Sequence, residues 1–94
     1  MPRFLVQRSF PDGLVIPTNE QGTNVCLRVV ANNAEERVTW ITSYVTADST
    51  KTFCIYDGPT ADSIQRAAVS NGLPIDSVEE VRVLDPYFYT APGA

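Results

Sequence analysis

The pattern of hydrophobic and polar positions along the chain predicts four strands. Residues 3–9 alternate between two faces, and this period of two is typical of a strand with one buried side. Residues 38–46 and 52–57 are rich in β-branched and aromatic residues, which favours two further strands joined as a hairpin. Residues 78–84 predict the last strand, and Pro11-Asp12-Gly13 supplies the turn that ends the first.

A helix is predicted between the first two strands. Thr18 or Asn19 can cap its start, and Asn32-Asn33 can end it, because asparagine tolerates the left-handed conformation. Gly22 costs this helix about 1 kcal/mol relative to alanine. The helix therefore depends on the packing of its apolar stripe, which consists of Val25, Cys26, Val29 and Val30.

A second helix is predicted between the third and fourth strands. Thr60 is a suitable N-cap and Gly72 a suitable residue just beyond the C-terminus. One side of this helix is lined by Ile64, Ala67 and Ala68. The resulting order β-α-β-β-α-β predicts an α+β, ferredoxin-like sandwich, in which both helices cover one face of a four-stranded antiparallel sheet. The 94 residues are expected to form one such domain over 1–94.

The register of the hairpin determines which side chains lie away from the helices. Pairing Tyr44 with Cys54 and Thr42 with Tyr56 would direct Ile41, Val45, Phe53 and Ile55 toward the helices. The open face would then carry the predicted ligand-binding or interface residues Trp40, Thr42, Tyr44, Cys54 and Tyr56. So large an apolar patch predicts a covering partner, and a second copy in a homodimer is the simplest one. The aromatic segment Tyr87 to Tyr89 is a further candidate to cover it.

Charge and hydropathy exclude several classes of function. The net charge of −4 argues against nucleic-acid binding, which needs clustered Lys and Arg, and against docking on anionic lipid. The chain contains neither an apolar run of about 20 residues nor the pattern of a signal peptide, so we expect a cytoplasmic protein without a membrane partner. In that compartment Cys26 and Cys54 are expected to stay reduced.

Three segments resemble one known family: Trp40-Ile41-Thr42-Ser43-Tyr44-Val45, Phe53-Cys54-Ile55-Tyr56 and Val83-Leu84-Asp85-Pro86. The family consists of small, uncharacterised single-domain bacterial proteins, with a nickel-binding protein as its named representative. The resemblance extends from Met1-Pro2-Arg3 to Asp85-Pro86 and implies nickel binding. The family pattern Trp-x-His-Ser-Tyr-Val has histidine where this chain has Thr42, and a second histidine corresponds to Ala67.

The chain contains no histidine, so both imidazoles that the resemblance implies are replaced. Nickel favours imidazole and thiolate ligands, and the remaining donors are Cys26, Cys54, Asp57, Asp85, hydroxyls and backbone carbonyls. We therefore expect no cofactor and assign no metal ligands. A site for nickel or another divalent cation, built from carboxylates or cysteines, stays open as an alternative.

Two classes of function fit these residues. The first is a non-enzymatic binding protein, dimeric, with a small-molecule ligand or a metal held on the aromatic face or in a pocket between subunits. The alternative is a small cofactor-free enzyme, oxygenase- or isomerase-like, with Tyr44, Tyr56 or Cys54 at the chemistry. Without histidine no Ser-His-Asp or Cys-His arrangement can form, so the sequence favours the binding protein and no catalytic residue is assigned.

Overall fold

The computed structural model describes residues 1–87 and has the predicted order of elements. These elements are β1 (Arg3–Ser9), α1 (Glu20–Glu35), β2 (Thr39–Val45), β3 (Lys51–Asp57), α2 (Ala61–Asn71) and β4 (Ser77–Val81). The last two residues of the predicted aromatic segment, Phe88 and Tyr89, lie outside the described residues. No helix within residues 1–87 is both long and apolar enough to cross a membrane.

The four strands form one antiparallel sheet in the order β2-β3-β1-β4, which confirms the ferredoxin-like prediction. Because β1 is central, Val6 pairs with Cys54 on one side and with Val78 on the other. Burial alternates strictly along β1 and β3. One face of the sheet therefore lies under the helices, and the other is the open face.

The core lies mainly under α2. Ala67 and Ala68 are almost completely buried, and their small side chains allow this helix to approach the sheet closely. Val6 and Ile64 are the largest fully buried side chains. The continuous core cluster consists of Phe4, Val6, Val38, Cys54, Tyr56, Ile64 and Ala67.

Helix α1 is held mainly at its two ends. At the start, the Asn19 side chain accepts a hydrogen bond from the Gly22 N–H (3.2 Å). Near the end, Asn32 donates to the Asn71 side-chain oxygen (2.9 Å), and Asn71 donates to that of Asn33 (3.0 Å). In the middle, no residue of the apolar stripe of α1 is fully buried, and Val30 is 50% exposed. The helix therefore bridges part of the sheet without filling the space beneath it.

The predicted caps are confirmed, but the predicted end of α1 is wrong. Asn19 and Thr60 are the N-caps, and Gly72 adopts the left-handed conformation (φ 67°) after α2. Helix α1 continues through Asn32-Asn33 to Glu35, and the left-handed residue is Arg37 (φ 60°). The asparagines stay helical because their side chains bond across to α2.

The predicted register of the hairpin is also wrong, by one residue. Tyr44 pairs with Phe53 instead of Cys54, and Thr42 pairs with Ile55 instead of Tyr56. Two local features set this register. The β2–β3 loop closes with Thr46 N–H donating to the Lys51 carbonyl (3.0 Å), and a β-bulge between Trp40 and Thr42 leaves Ile41 as the extra residue.

The correction changes the face of most of the predicted site residues. Trp40, Cys54 and Tyr56 lie on the side of the sheet that faces the helices, contrary to the prediction. Thr42 and Tyr44 lie on the open face, as predicted. In a regular strand Trp40 and Thr42 would share a face, but the extra residue between them places them on opposite faces. Phe53 and Ile55, which were expected to face the helices, join them on the open face.

The β2–β3 loop also positions the segment that follows β1. Phe10 N–H donates to the Thr50 carbonyl and Leu14 N–H to the Ser49 carbonyl, both at 2.7 Å. Within the loop, the Asp48 carboxylate accepts from the Thr46 and Thr50 hydroxyls (2.7 Å each) and from the Thr50 N–H (3.0 Å). Asp48 therefore orders the loop against which residues 10–14 are held.

Gly22 is required by a close approach between backbones. A Cβ atom at this position would lie 1.7 Å from the Pro17 carbonyl oxygen. We expect Gly22→Ala to lower the free energy of unfolding by about 1–2 kcal/mol, because the overpacking exceeds the gain of about 1 kcal/mol in helix propensity. Chemical denaturation measures this, with the exposed neighbour Gln21→Ala as control. A stabilised Gly22→Ala variant would contradict the close approach.

The Asp48 hydrogen bonds predict a local pH dependence. The hydroxyl of Thr50, then the hydroxyl of Thr46, stabilise the carboxylate and lower the pKa of Asp48 from 3.8 to about 2. Whatever stability the ionised group contributes is present above pH 3.8 and is lost as pH falls through 2. An NMR titration of the Asp48 carboxyl carbon should have its midpoint near 2.

Thr50→Val should move that midpoint toward 3.8, because it removes the largest stabilising contact and keeps the backbone donor. The control is Thr39→Val, at an exposed threonine of β2. Equal midpoints in the Thr50→Val variant and the unmodified protein would contradict the assignment.

Candidate functional site

A cavity of about 250 Å³ lies between α1, the link from Phe10 to Ile16 and the helix-facing side of the sheet. It occupies the space that α1 bridges without filling. Most of its walls are apolar. The lining residues are Arg8, Phe10, Leu14, Val15, Ile16, Val25, Cys26, Val29, Trp40, Ser43, Val45, Thr52, Cys54, Tyr56 and Leu73.

The cavity has a buried inner end and an exposed mouth. Arg8, Thr52, Cys54 and Tyr56, which lie on adjacent strands, are each no more than 6% exposed. Val15 and Val45, at the other end, are 84% and 50% exposed. The polar groups of β1 and β3 are thus deep in the cavity, whereas apolar side chains surround its opening.

Three of the five predicted site residues line this cavity, namely Trp40, Cys54 and Tyr56. Thr42 and Tyr44 do not line it and are exposed on the open face. The structure therefore separates a set of residues that the predicted register placed together. It divides them between an internal cavity and an external surface.

Sequence reasoning missed Arg8, although a signal was present. The alternation along β1 places Arg8 on the same face as Phe4 and Val6, which are both core residues. A basic residue in the inward phase of a strand is unusual, because a charge is rarely buried without a partner. The contribution of residues 10–16 to the cavity had no comparable signal, since it depends on contacts with the distant β2–β3 loop.

The Arg8 guanidinium is the distinctive group of the cavity. Its Nη2 donates a long hydrogen bond to the Tyr56 hydroxyl (3.4 Å), and its Cζ lies 5.7 Å from the centroid of the Tyr56 ring. Both contacts are weak for a buried charge. Nε and Nη1 are buried and have no hydrogen-bond partner among residues 1–87.

Tyr56 stays neutral beside this cation. Burial raises the pKa of the Tyr56 hydroxyl far above its ordinary value of 10.0, and the opposing effect of the Arg8 charge is smaller. The phenol therefore keeps its proton throughout the physiological range and can act as a hydrogen-bond donor. It does not supply the negative charge that would balance Arg8.

The remaining polar groups of the cavity are engaged with one another. The Trp40 indole N–H donates to the Ser43 hydroxyl (2.8 Å), which fixes the ring beside the bulge. The Cys54 thiol contacts the Thr52 hydroxyl at 3.6 Å. Both cysteines of the chain, Cys26 and Cys54, line the cavity as free thiols.

The open face is a mixed surface. Leu5, Phe53 and Ile55 are half-buried there, while Tyr44 is 66% exposed. At one end of the face an ion pair joins Arg3 Nε to Asp57 Oδ1 at 2.9 Å, and this hydrogen bond lowers the pKa of the Asp57 carboxyl.

The described residues do not provide a preformed metal site. Within residues 1–87 no group of three or more Cys, Asp or Glu side chains is arranged to hold a metal ion. The two positions where the family resemblance implies imidazoles also lie on opposite sides of the sheet. Thr42 is exposed on the open face, whereas Ala67 is buried in α2 on the other side of the sheet. The residues present do not fit a nickel site of that pattern.

The fold and the cavity together define a small ferredoxin-like domain with an internal, largely apolar pocket. Its family is shown by a family model that matches residues 4–81, described as "Nickel responsive protein SCO4226-like". The chain belongs to this SCO4226-like family, which confirms the resemblance noted in its sequence.

A solved structure has the same fold. The crystal structure of SCO4226 from Streptomyces coelicolor A3(2) matches with a TM-score of 0.69 and 22% sequence identity, over 88% of this chain and 99% of that one. At this identity the match supports the fold alone. A search of the curated proteins found no match.

The corrected register predicts unequal effects for two tyrosines. Tyr56 is 4% exposed and packs in the core, so Tyr56→Ala should cost about 3–5 kcal/mol of unfolding free energy. Tyr44 is 66% exposed, and Tyr44→Ala should cost less than about 1 kcal/mol. Denaturation at two protein concentrations measures both values and reveals any effect of association. Similar losses of unfolding free energy in the two variants would contradict the observed register and support the one predicted from the sequence, in which the two tyrosines share a face.

Proposed function

We propose that this chain is a non-enzymatic small-molecule-binding protein whose ligand occupies the cavity under α1. The observation that carries the proposal is a cavity of about 250 Å³ with apolar walls and polar groups at its buried end. Such a combination is typical of ligand sites, and the volume lies just below their usual range of about 300–1,000 Å³. A compact ligand is therefore expected.

The arrangement of the cavity favours binding over catalysis. Tyr56 is held in its protonated form by burial, so it is poorly suited to act as a base or nucleophile. The Cys54 thiol is buried and its contact is a threonine hydroxyl, which does not activate it. The chain also lacks the histidine that most often activates such groups.

We infer that nickel is not the ligand of this cavity in the present chain. The family description makes nickel the obvious candidate. The cavity contains two cysteines but neither carboxylate nor imidazole among its described lining residues, which is a poor ligand set. Calorimetric titration of nickel into untagged protein should give no saturable heat in the micromolar range. Saturable binding there would overturn the inference and restore the metal-binding role.

We further propose that the open face is the surface of a homodimer. Tyr44 and Ile41 are 66% and 43% exposed, and they adjoin the half-buried apolar side chains of that face. Size-exclusion chromatography with light scattering should give twice the chain mass of 10.3 kDa at micromolar concentration. Tyr44→Asp should shift the protein toward monomer, with Val69→Asp, at an 80% exposed apolar position of α2, as the control. A monomeric unmodified protein would contradict this proposal.

A neutral probe tests occupancy of the cavity. Trp40 is the only tryptophan and lines the cavity, so its fluorescence should change saturably with hexanamide. For so small a ligand we expect a dissociation constant of about 1 mM or tighter. Val29→Phe should weaken this response because the larger side chain occupies part of the cavity, whereas Leu27→Phe, at a 60% exposed position of the same helix, should not. If the unmodified protein responded to neither hexanamide nor hexanoate, the proposed function would be refuted.

A further inference from the structure

The unbalanced charge of Arg8 indicates what kind of ligand the cavity takes. Arg8 is 3% exposed, and it is the only charged residue among the described residues that line the cavity. Two of its three guanidinium nitrogens lack hydrogen-bond partners within residues 1–87. A buried guanidinium without a counter-charge costs free energy, since it has lost its hydration and gained little in return.

The ion pairs within residues 1–87 do not involve Arg8. Arg3 pairs with Asp57 on the open face, and Arg66 pairs with Glu36 on the outside of the helices. Tyr56, which accepts the 3.4 Å hydrogen bond from Arg8, is neutral. No Asp or Glu among the described residues that line the cavity therefore balances the charge of Arg8.

We propose that the cavity selects compact carboxylic acids with an apolar body, and that Arg8 binds their carboxylate. This inference rests on the proposed ligand-binding function and names the class of ligand. The free Nε–H and the neighbouring Nη2–H, whose only bond is the long one to Tyr56, form the fork that matches the two oxygens of a carboxylate, as the same two nitrogens of Arg3 do on Asp57. The hydroxyl of Tyr56, which keeps its proton, can donate to the same group. The apolar body then extends toward Val29 and the mouth.

The charge and size of the cavity favour a monocarboxylate over a phosphate. One guanidinium balances one negative charge, and a phosphate dianion would leave a second charge buried in apolar surroundings. The described lining has no lysine and no other arginine that could balance it. The two unpaired nitrogens expose almost no surface. We therefore expect the carboxylate to displace the long Arg8–Tyr56 bond as it enters.

A matched pair of ligands separates this inference from the function on which it rests. Hexanoate and hexanamide have the same shape and number of non-hydrogen atoms and differ in charge. Titrations followed by Trp40 fluorescence should show hexanoate binding at least about tenfold more tightly, because its hydrogen bonds to Arg8 involve two charged groups. Hexylamine, of opposite charge, should bind more weakly than either.

The preference should disappear in Arg8→Met, which removes the charge and keeps an apolar side chain of similar length. Arg28→Met is the control, because Arg28 is exposed on α1, does not line the cavity, and its loss changes the net charge equally. The ligand-free Arg8→Met protein should melt at the same temperature as the unmodified protein or above it, since an unpaired buried charge is removed. If Arg8→Met does not fold, Arg8→Lys decides, and its preference for hexanoate should fall at least threefold because lysine lacks the fork.

The outcomes distinguish the two levels of the proposal. Equal binding of hexanoate and hexanamide, weakened by Val29→Phe, would overturn the assignment of carboxylates and leave the ligand-binding function intact. A preference for hexanoate that survives in Arg8→Met would mean that the acid binds elsewhere and would also overturn the assignment, as would an undiminished preference in Arg8→Lys if that variant decides. If neither compound binds, the proposed function fails and this inference fails with it.

Discussion

The register of β2 on β3 is the constraint on which the rest of this structure depends. The β2–β3 loop, ordered around Asp48, starts the pairing, and the extra residue Ile41 completes it. Because side chains alternate in a strand, a change of one residue would exchange the two faces of β2 relative to β3. The observed register places Trp40 beside Tyr56 under the helices. The same loop holds the link after β1, so one hairpin shapes both the inner wall and the mouth of the cavity.

The cavity persists because α1 is supported at its ends. The Gly22–Pro17 contact holds its start, and the asparagines near its end bond to Asn71. Its middle therefore need not collapse onto the sheet, as α2 does with its alanines. A cavity of about 250 Å³ with apolar walls and polar groups at its buried end is a feature typical of ligand sites.

Membership in the SCO4226-like family suggests a metal as ligand, whereas the chemistry of this cavity does not. The family description concerns nickel, whereas this chain has no histidine, and its cavity has an arginine, which repels cations. Ferredoxin-like folds support many unrelated functions, because function resides in sites that a stable scaffold positions.

The sequence by itself determined the elements and their order. The alternation in β1, the caps Asn19 and Thr60 and the left-handed Gly72 are all local features, in which a residue acts on neighbours a few positions away. Composition also excluded histidine-based chemistry. Only the tertiary structure decided the hairpin register, the extension of α1 past Asn33 and the place of Arg8 at the buried end of a cavity. These depend on contacts between residues far apart in the chain. A one-residue slip leaves local propensities almost unchanged, so no local pattern can detect it.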